Sequence, residues 1–99
     1  MRMYIDDIRD PKGEFDIIVR SSVEALEWMF MYGCPNFISF DFDLGGDDRA
    51  ILVAKMMVQN DLDEPGWIPE DFTFFVHSAN PEGARQIQGY LDSYLGQRG

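Results

Sequence analysis

Residues 36–42 read Asn-Phe-Ile-Ser-Phe-Asp-Phe and run on into Asp43-Leu44-Gly45-Gly46. The centre of this stretch, Phe37-Ile38-Ser39-Phe40, is nearly continuous apolar, as expected of a strand covered on both faces. It ends in Asp41 and Asp43, so a buried strand delivers two carboxylates to a flexible acidic loop, 44–48. Upstream, residues 22–32 predict a helix. Ser21 stands at its N-cap position with Glu24 three residues on, a capping-box spacing, and Gly33 with Pro35 stops it. Its apolar side reads as Val23, Leu26 and Phe30, with Trp28, Met31 and Tyr32 turned away from that side. Downstream, a helix is expected from about residue 49 to 60, with Ile51, Ala54, Met57 and Val58 at helical spacing.

The flanks repeat the alternation. Residues 1–6 (MRMYID) and 15–20 (FDIIVR) predict strands joined by a polar, Pro-containing loop, 7–14. Residues 61–71 hold two Pro and a Gly and predict a loop. Residues 72–76 (FTFFV) predict a fourth, buried strand. Asn80 at an N-cap and Pro81 at N1 open a last helix. Its stripe is Ala84, Ile87, Leu91, Tyr94 and Leu95, and residues 96–99 are expected to fray. The order β, β, α, β, α, β, α argues for an α/β fold, a mostly parallel four-stranded sheet with about three helices. The first link is short for a parallel pair, which normally takes about a dozen residues. An extended crossing of the loop keeps the second strand parallel, and the next α-β unit then returns the third strand parallel to the first. No repeat or linker divides the chain, so residues 1–99 form one domain.

Composition narrows the function. The 99 residues carry 18 Asp or Glu, 8 Lys or Arg and one His, a formal net charge of −10. That balance argues against nucleic-acid binding through basic contacts and against anionic membrane surfaces. With 45% hydrophobic and 14% aromatic residues, the chain is no disordered acidic tail. A lone Cys34 excludes a disulfide framework and a multi-Cys zinc site. No apolar run approaches the ~20 residues of a membrane span, and no signal-peptide pattern opens the chain. A cytoplasmic protein is the expectation.

In an open parallel sheet, ligands bind beyond the carboxyl ends of the strands. Those ends carry Asp6-Asp7 with Arg9, then Asp41 and Asp43, then His77-Ser78-Ala79-Asn80. Six of the 18 acids (Asp6, Asp7, Asp41, Asp43, Asp47, Asp48) follow just two strands. Clustered carboxylates raise one another's pKa, and a bound cation relieves the repulsion. An all-oxygen set suits a hard ion, Mg²⁺, Mn²⁺ or Ca²⁺, rather than zinc. The facing helix N-terminus at Asn80 suits a phosphate. Each feature also has a plainer reading: Asp-Asp as turn chemistry, Asp47 and Asp48 as solvated loop, Ser78 as a partner for backbone amides.

At Asp6-Asp7-x-Arg9-x-Pro11, Asp41-x-Asp43-Leu44-Gly45 and His77-Ser78-Ala79-Asn80-Pro81-x-Gly83, the chain resembles the cyclic-phosphate processing receiver domain family, relatives of two-component receivers. The resemblance covers nearly the whole chain. It implies a flavodoxin-type, receiver-like fold, here without the first receiver helix and the fifth strand with its lysine. By the same likeness Asp6 and Asp7 hold the metal, Asp41 is ligand or nucleophile, and Ser78 matches the hydroxyl residue after the fourth strand. Phe42 stands between the third-strand acids where the family pattern has His, leaving His77 as the one imidazole.

The resulting expectation is divalent-metal-dependent processing or binding of a phosphoester, a cyclic phosphate by resemblance. As an enzyme it would be a cyclic phosphodiesterase or phosphohydrolase. Asp6, Asp7, Asp41 and Asp43 hold Mg²⁺ or Mn²⁺, His77 is general acid or base beside Asp41 and Ser78, and Arg9, Asn80 and Arg85 take the phosphate. The alternative is an inactive receiver-like binding or interaction module. Its plain form is a homodimer through apolar surface; another is an acidic, phage-encoded mimic of nucleic acid.

Overall fold

The computed structural model describes residues 1–98. Four strands, β1 (Arg2–Ile5), β2 (Ile17–Val19), β3 (Phe37–Phe40) and β4 (Thr73–Val76), alternate with helices α1 (Ser22–Tyr32), α2 (Ile51–Asp63) and α3 (Pro81–Gln97). The sheet order is β2-β1-β3-β4 and every pairing is parallel, the short first link included. That link is held by Arg20, whose guanidinium donates to the carbonyls of Asp6 and Arg9 and pairs with Asp10. A charged side chain thus holds in place a connection that a helix usually makes.

The β2-α1-β3 and β3-α2-β4 units step in the same direction along the sheet. Right-handed crossovers therefore place α1 and α2 on one face, and α3 packs beside α2. Register separates the two faces. Met3, Ile17, Ile38 and Phe74 are aligned, as are Ile5, Val19, Phe40 and Val76. These residues meet Ala25, Met29, Val53, Met57, Ile87 and Leu91 in the core. The opposite face carries Tyr4, Ile18, Ser39 and Phe75 and has no helix over it among the described residues. Phe15, from the first link, covers part of it, its ring tilted against those of Tyr4 and Phe37.

Several sequence expectations are corrected here. In α1 the buried residues are Ser22, Ala25 and Met29, while Val23 and Phe30 face solvent, Phe30 at 89% exposure. The cause is at the helix start: Asp48 accepts hydrogen bonds from the Ser22 backbone N–H and hydroxyl, which turns the Ser22/Ala25/Met29 side inward. Helix α2 starts at Ile51 and continues past Asn60 to Asp63. Arg49 stays outside it, bridged to Asp43. Asp61, expected in a loop, is buried on the helix. Its carboxylate accepts from the Ile68 N–H, the Tyr94 hydroxyl and Arg98. Arg98 also donates to the carbonyls of Ile68 and Pro69, so α3 stays ordered through Gln97 where fraying was expected. Finally, β4 is half-exposed rather than buried, because it is an edge strand with helix cover on one face; Phe75 is 59% exposed.

The caps follow their chemistry. Ser21 Oγ accepts from Glu24 N at 3.1 Å. The Glu24 carboxylate reaches back to the Arg20 N–H, one residue further than in a closed capping box. Asn80 Oδ1 accepts from Gly83 N at 3.1 Å. Gly83 admits no side chain: a Cβ there would lie 2.2 Å from the Phe42 ring. The Phe42 position and the start of α3 are thereby packed as one unit.

Candidate functional site

The sheet itself assembles the site. Because Ile5, Phe40 and Val76 are in register, the next residues, Asp6, Asp41 and His77, form the following row. The ladder continues through them, with Asp41 N donating to Ile5 O (2.9 Å) and His77 N to Phe40 O (2.8 Å). Alternation turns this row to the face without helices, the face of Tyr4 and Ser39 two residues earlier.

Asp6 is fully buried. Its Oδ1 accepts from the N–H groups of Ile8 (3.0 Å) and Arg9 (2.8 Å). Its Oδ2 accepts from Arg9 Nε and His77 Nε2, each at 3.0 Å, with the Tyr4 hydroxyl at 3.5 Å. Burial by itself would push this carboxyl up. The Arg9 and Ile8 amides, His77 and the Arg9 guanidinium outweigh it and hold the group below the ordinary aspartate value. Asp6 is therefore an anion in a buried position.

One carboxylate oxygen from each of Asp6, Asp7 and Asp41 lies within 4.8 Å of the others. Gly45 closes on this group: at φ +91°, where L side chains are strained, a Cβ would lie 3.3 Å from Asp7 Oδ2. A cation is already present. Arg9 Nε lies 3.0 Å from Asp6 Oδ2 and its Nη2 3.4 Å from Asp41 Oδ2, while the rest of the side chain is half-exposed.

His77 is held at both ring nitrogens. Nε2 faces the ionised Asp6, and Nδ1 lies 2.7 Å from Ser39 Oγ. A carboxylate only accepts, so Nε2 donates and a neutral ring takes the Ser39 proton at Nδ1. The ring stacks on Tyr4, centroids 4.6 Å apart and planes 4° from parallel.

The other residues expected at the site lie around this group. Asp43 stands outside the three-carboxylate group, paired with Arg49 (3.1 Å) and accepting from Asn80 Nδ2 (3.3 Å). Ser78 Oγ accepts from Asn80 N (3.0 Å), bracing the turn into α3. Arg85 pairs with Glu82 on the exposed side of α3. Cys34 is not a nucleophile candidate, since burial pushes its thiol up to about 12. Tyr4 and Ser39 escaped the sequence reading. Their signal was alternation, each standing two residues before a rim aspartate on the same face.

A parallel sheet with one rim of carboxylates, an imidazole and a helix N-terminus defines a receiver-like α/β domain. The chain belongs to the cyclic-phosphate processing receiver domain family, whose model matches residues 1–93. Comparison with curated proteins and with solved structures found no match. No helix among the described residues is long and apolar enough to cross a membrane.

Proposed function

We propose that this domain binds a phosphoester, a cyclic phosphate in keeping with its family, through a divalent cation held by Asp6, Asp7 and Asp41. The observation that carries the reading is the convergence of these three carboxylates within 4.8 Å. The donor set is all oxygen, which suits Mg²⁺ or Mn²⁺. It also already accommodates a positive charge, the Arg9 guanidinium. A bound ion would supply Lewis-acid polarisation of a phosphoester oxygen.

The chain's own residues do the rest. Asp6 Oδ2 is shared by Arg9, His77 and Tyr4, so a cation reaches it only as Arg9 withdraws. The withdrawn guanidinium, on a half-exposed stem beside the site, is a bidentate phosphate donor. His77 orients Asp6 and is itself set by Ser39 and Tyr4. As a proton donor or acceptor to a ligand it would first give up one of its two hydrogen bonds. The N-terminus of α3, with Glu82 and Arg85 paired beside it, borders the same rim.

Titration of the protein with Mg²⁺ or Mn²⁺, followed by NMR and calorimetry, tests the reading. The wild type is expected to bind, and Asp41→Asn to weaken binding by on the order of a hundredfold. Arg9→Ala is expected to tighten metal binding by roughly fivefold to tenfold, because no internal cation is left to displace. The same variant should weaken inorganic phosphate binding to the metal-loaded protein. Turnover is assayed on cyclic nucleotides and ADP-ribose cyclic phosphate with either metal. Absence of metal binding in both the wild type and Arg9→Ala would sink the proposal.

A further inference from the structure

Far from the acidic rim, the last turns of α1 and α2 enclose a groove formed by two adjoining cavities of about 460 and 420 Å³. Its apolar wall is Leu26, Met29, Phe30, Met31 and Met56, with Trp67 at one end. Phe30 is 89% and Met31 70% exposed, although neither touches the site described above. Large side chains left in water along a groove mark an interaction surface, and methionines let such a wall adapt to its occupant.

The charge around the groove is of one sign. Glu27, Asp63 and Glu64 line it, and no Lys or Arg does among the described residues. The carboxyl ends of α1 and α2 both open there, and neither helix has a basic residue in its last turn. The negative ends of two helix dipoles thus add to three carboxylates, and Arg98, the cation near the end of α2, is taken up by Asp61 and the Ile68 and Pro69 carbonyls.

The geometry points to a docking site for a cationic amphipathic helix of a partner protein. Its apolar stripe would lie on Phe30, Met31 and Met56, and its Lys or Arg flanks would meet Glu27, Asp63 and Glu64. On the α2 side the groove is lined from Met56 to Glu64, a wall of about 12 Å, room for anchors at i, i+3 or i+4 and i+7. A second copy of this chain is a poor occupant. It carries its own net charge of −10, and a two-fold contact would set the same carboxylates against each other.

The test uses a synthetic peptide of about 14 residues, matched to α2 in length, with Leu on one helical face and Lys elsewhere. A peptide of the same composition in non-amphipathic order is the control. Amide shifts are expected to be confined to α1, the second half of α2 and Trp67. Phe30→Asp, at a position too exposed to matter for folding, is expected to weaken binding by roughly tenfold. Asp63→Lys with Glu64→Lys is expected to weaken it several-fold. Equal binding of the control peptide, shifts centred on the acidic rim, or unchanged affinity in Phe30→Asp overturns the proposal. So does a wild-type dimer in sedimentation that Phe30→Asp converts to monomer, since the occupant would then be a second copy.

Discussion

Asp6→Ala is expected to destabilise the fold by roughly 3 kcal/mol or more, with no metal present. The side chain is fully buried and gathers the Ile8 and Arg9 amides, the Arg9 guanidinium and the His77 imidazole onto two oxygens. Truncation leaves those donors facing one another around a small void. Chemical denaturation of the wild type, Asp6→Ala and Asp6→Asn measures the effect. The amide retains shape and one acceptor oxygen, so Asp6→Asn should lose less. Asp6→Ala should also abolish the metal response, so the variant separates from Asp41→Asn by its stability and not by its binding. A loss below about 1 kcal/mol would mean that the row Asp6, Asp41, His77 does not hold the end of the sheet together.

The second large effect lies at the opposite end of the molecule. Asp61→Ala is expected to cost about 2–3 kcal/mol, because the buried Ile68 N–H and the Tyr94 hydroxyl lose their acceptor and Arg98 keeps only the Ile68 and Pro69 carbonyls. The last turn of α3 should loosen with it, seen as faster amide exchange around residues 94–98. Acid titration gives an independent check with a definite sign. Burial pushes the Asp61 carboxyl up, but Tyr94, the Ile68 amide and Arg98 outweigh it, and the folded value is depressed. Its contribution is therefore complete above the unfolded aspartate value of about 4 and disappears as the pH falls through the folded value. The same holds for Asp6, by the same sign. In Asp61→Asn the stability curve on the acid side should flatten, and an unchanged acid limb would contradict the assignment.

Much of the fold was legible because local chemistry and periodicity agree. The Ser21 and Asn80 caps, the stop at Gly33, and the stripe Ile87/Leu91 each rest on neighbours within a turn or two, and each stands where expected. Asp61 was illegible for the opposite reason. An acidic residue before a Pro- and Gly-bearing stretch reads as loop, and its burial is made tolerable by the Ile68 amide together with Tyr94 and Arg98, far along the chain. The exposure of Phe30 was hidden likewise. Val23, Leu26 and Phe30 form as good a helical stripe as Ala25 and Met29, and the choice is made by Asp48 reaching Ser22 from another segment.

The sequence alone determined that the carboxylates, the imidazole and a helix N-terminus share one rim, because parallel strands deliver their ends to the same side and each cluster follows a strand. Tertiary structure decided which of them meet. Register sets Asp6, Asp41 and His77 in one row, while Arg49 and Asn80 draw Asp43 away. It also decided what occupies the row: Arg9, three residues after Asp6, folds back between two carboxylates because buried negative charge requires a counter-charge within reach. Strand order and alternation are written along the chain, whereas pairing of charges across strands depends on distances that exist only once the sheet has formed.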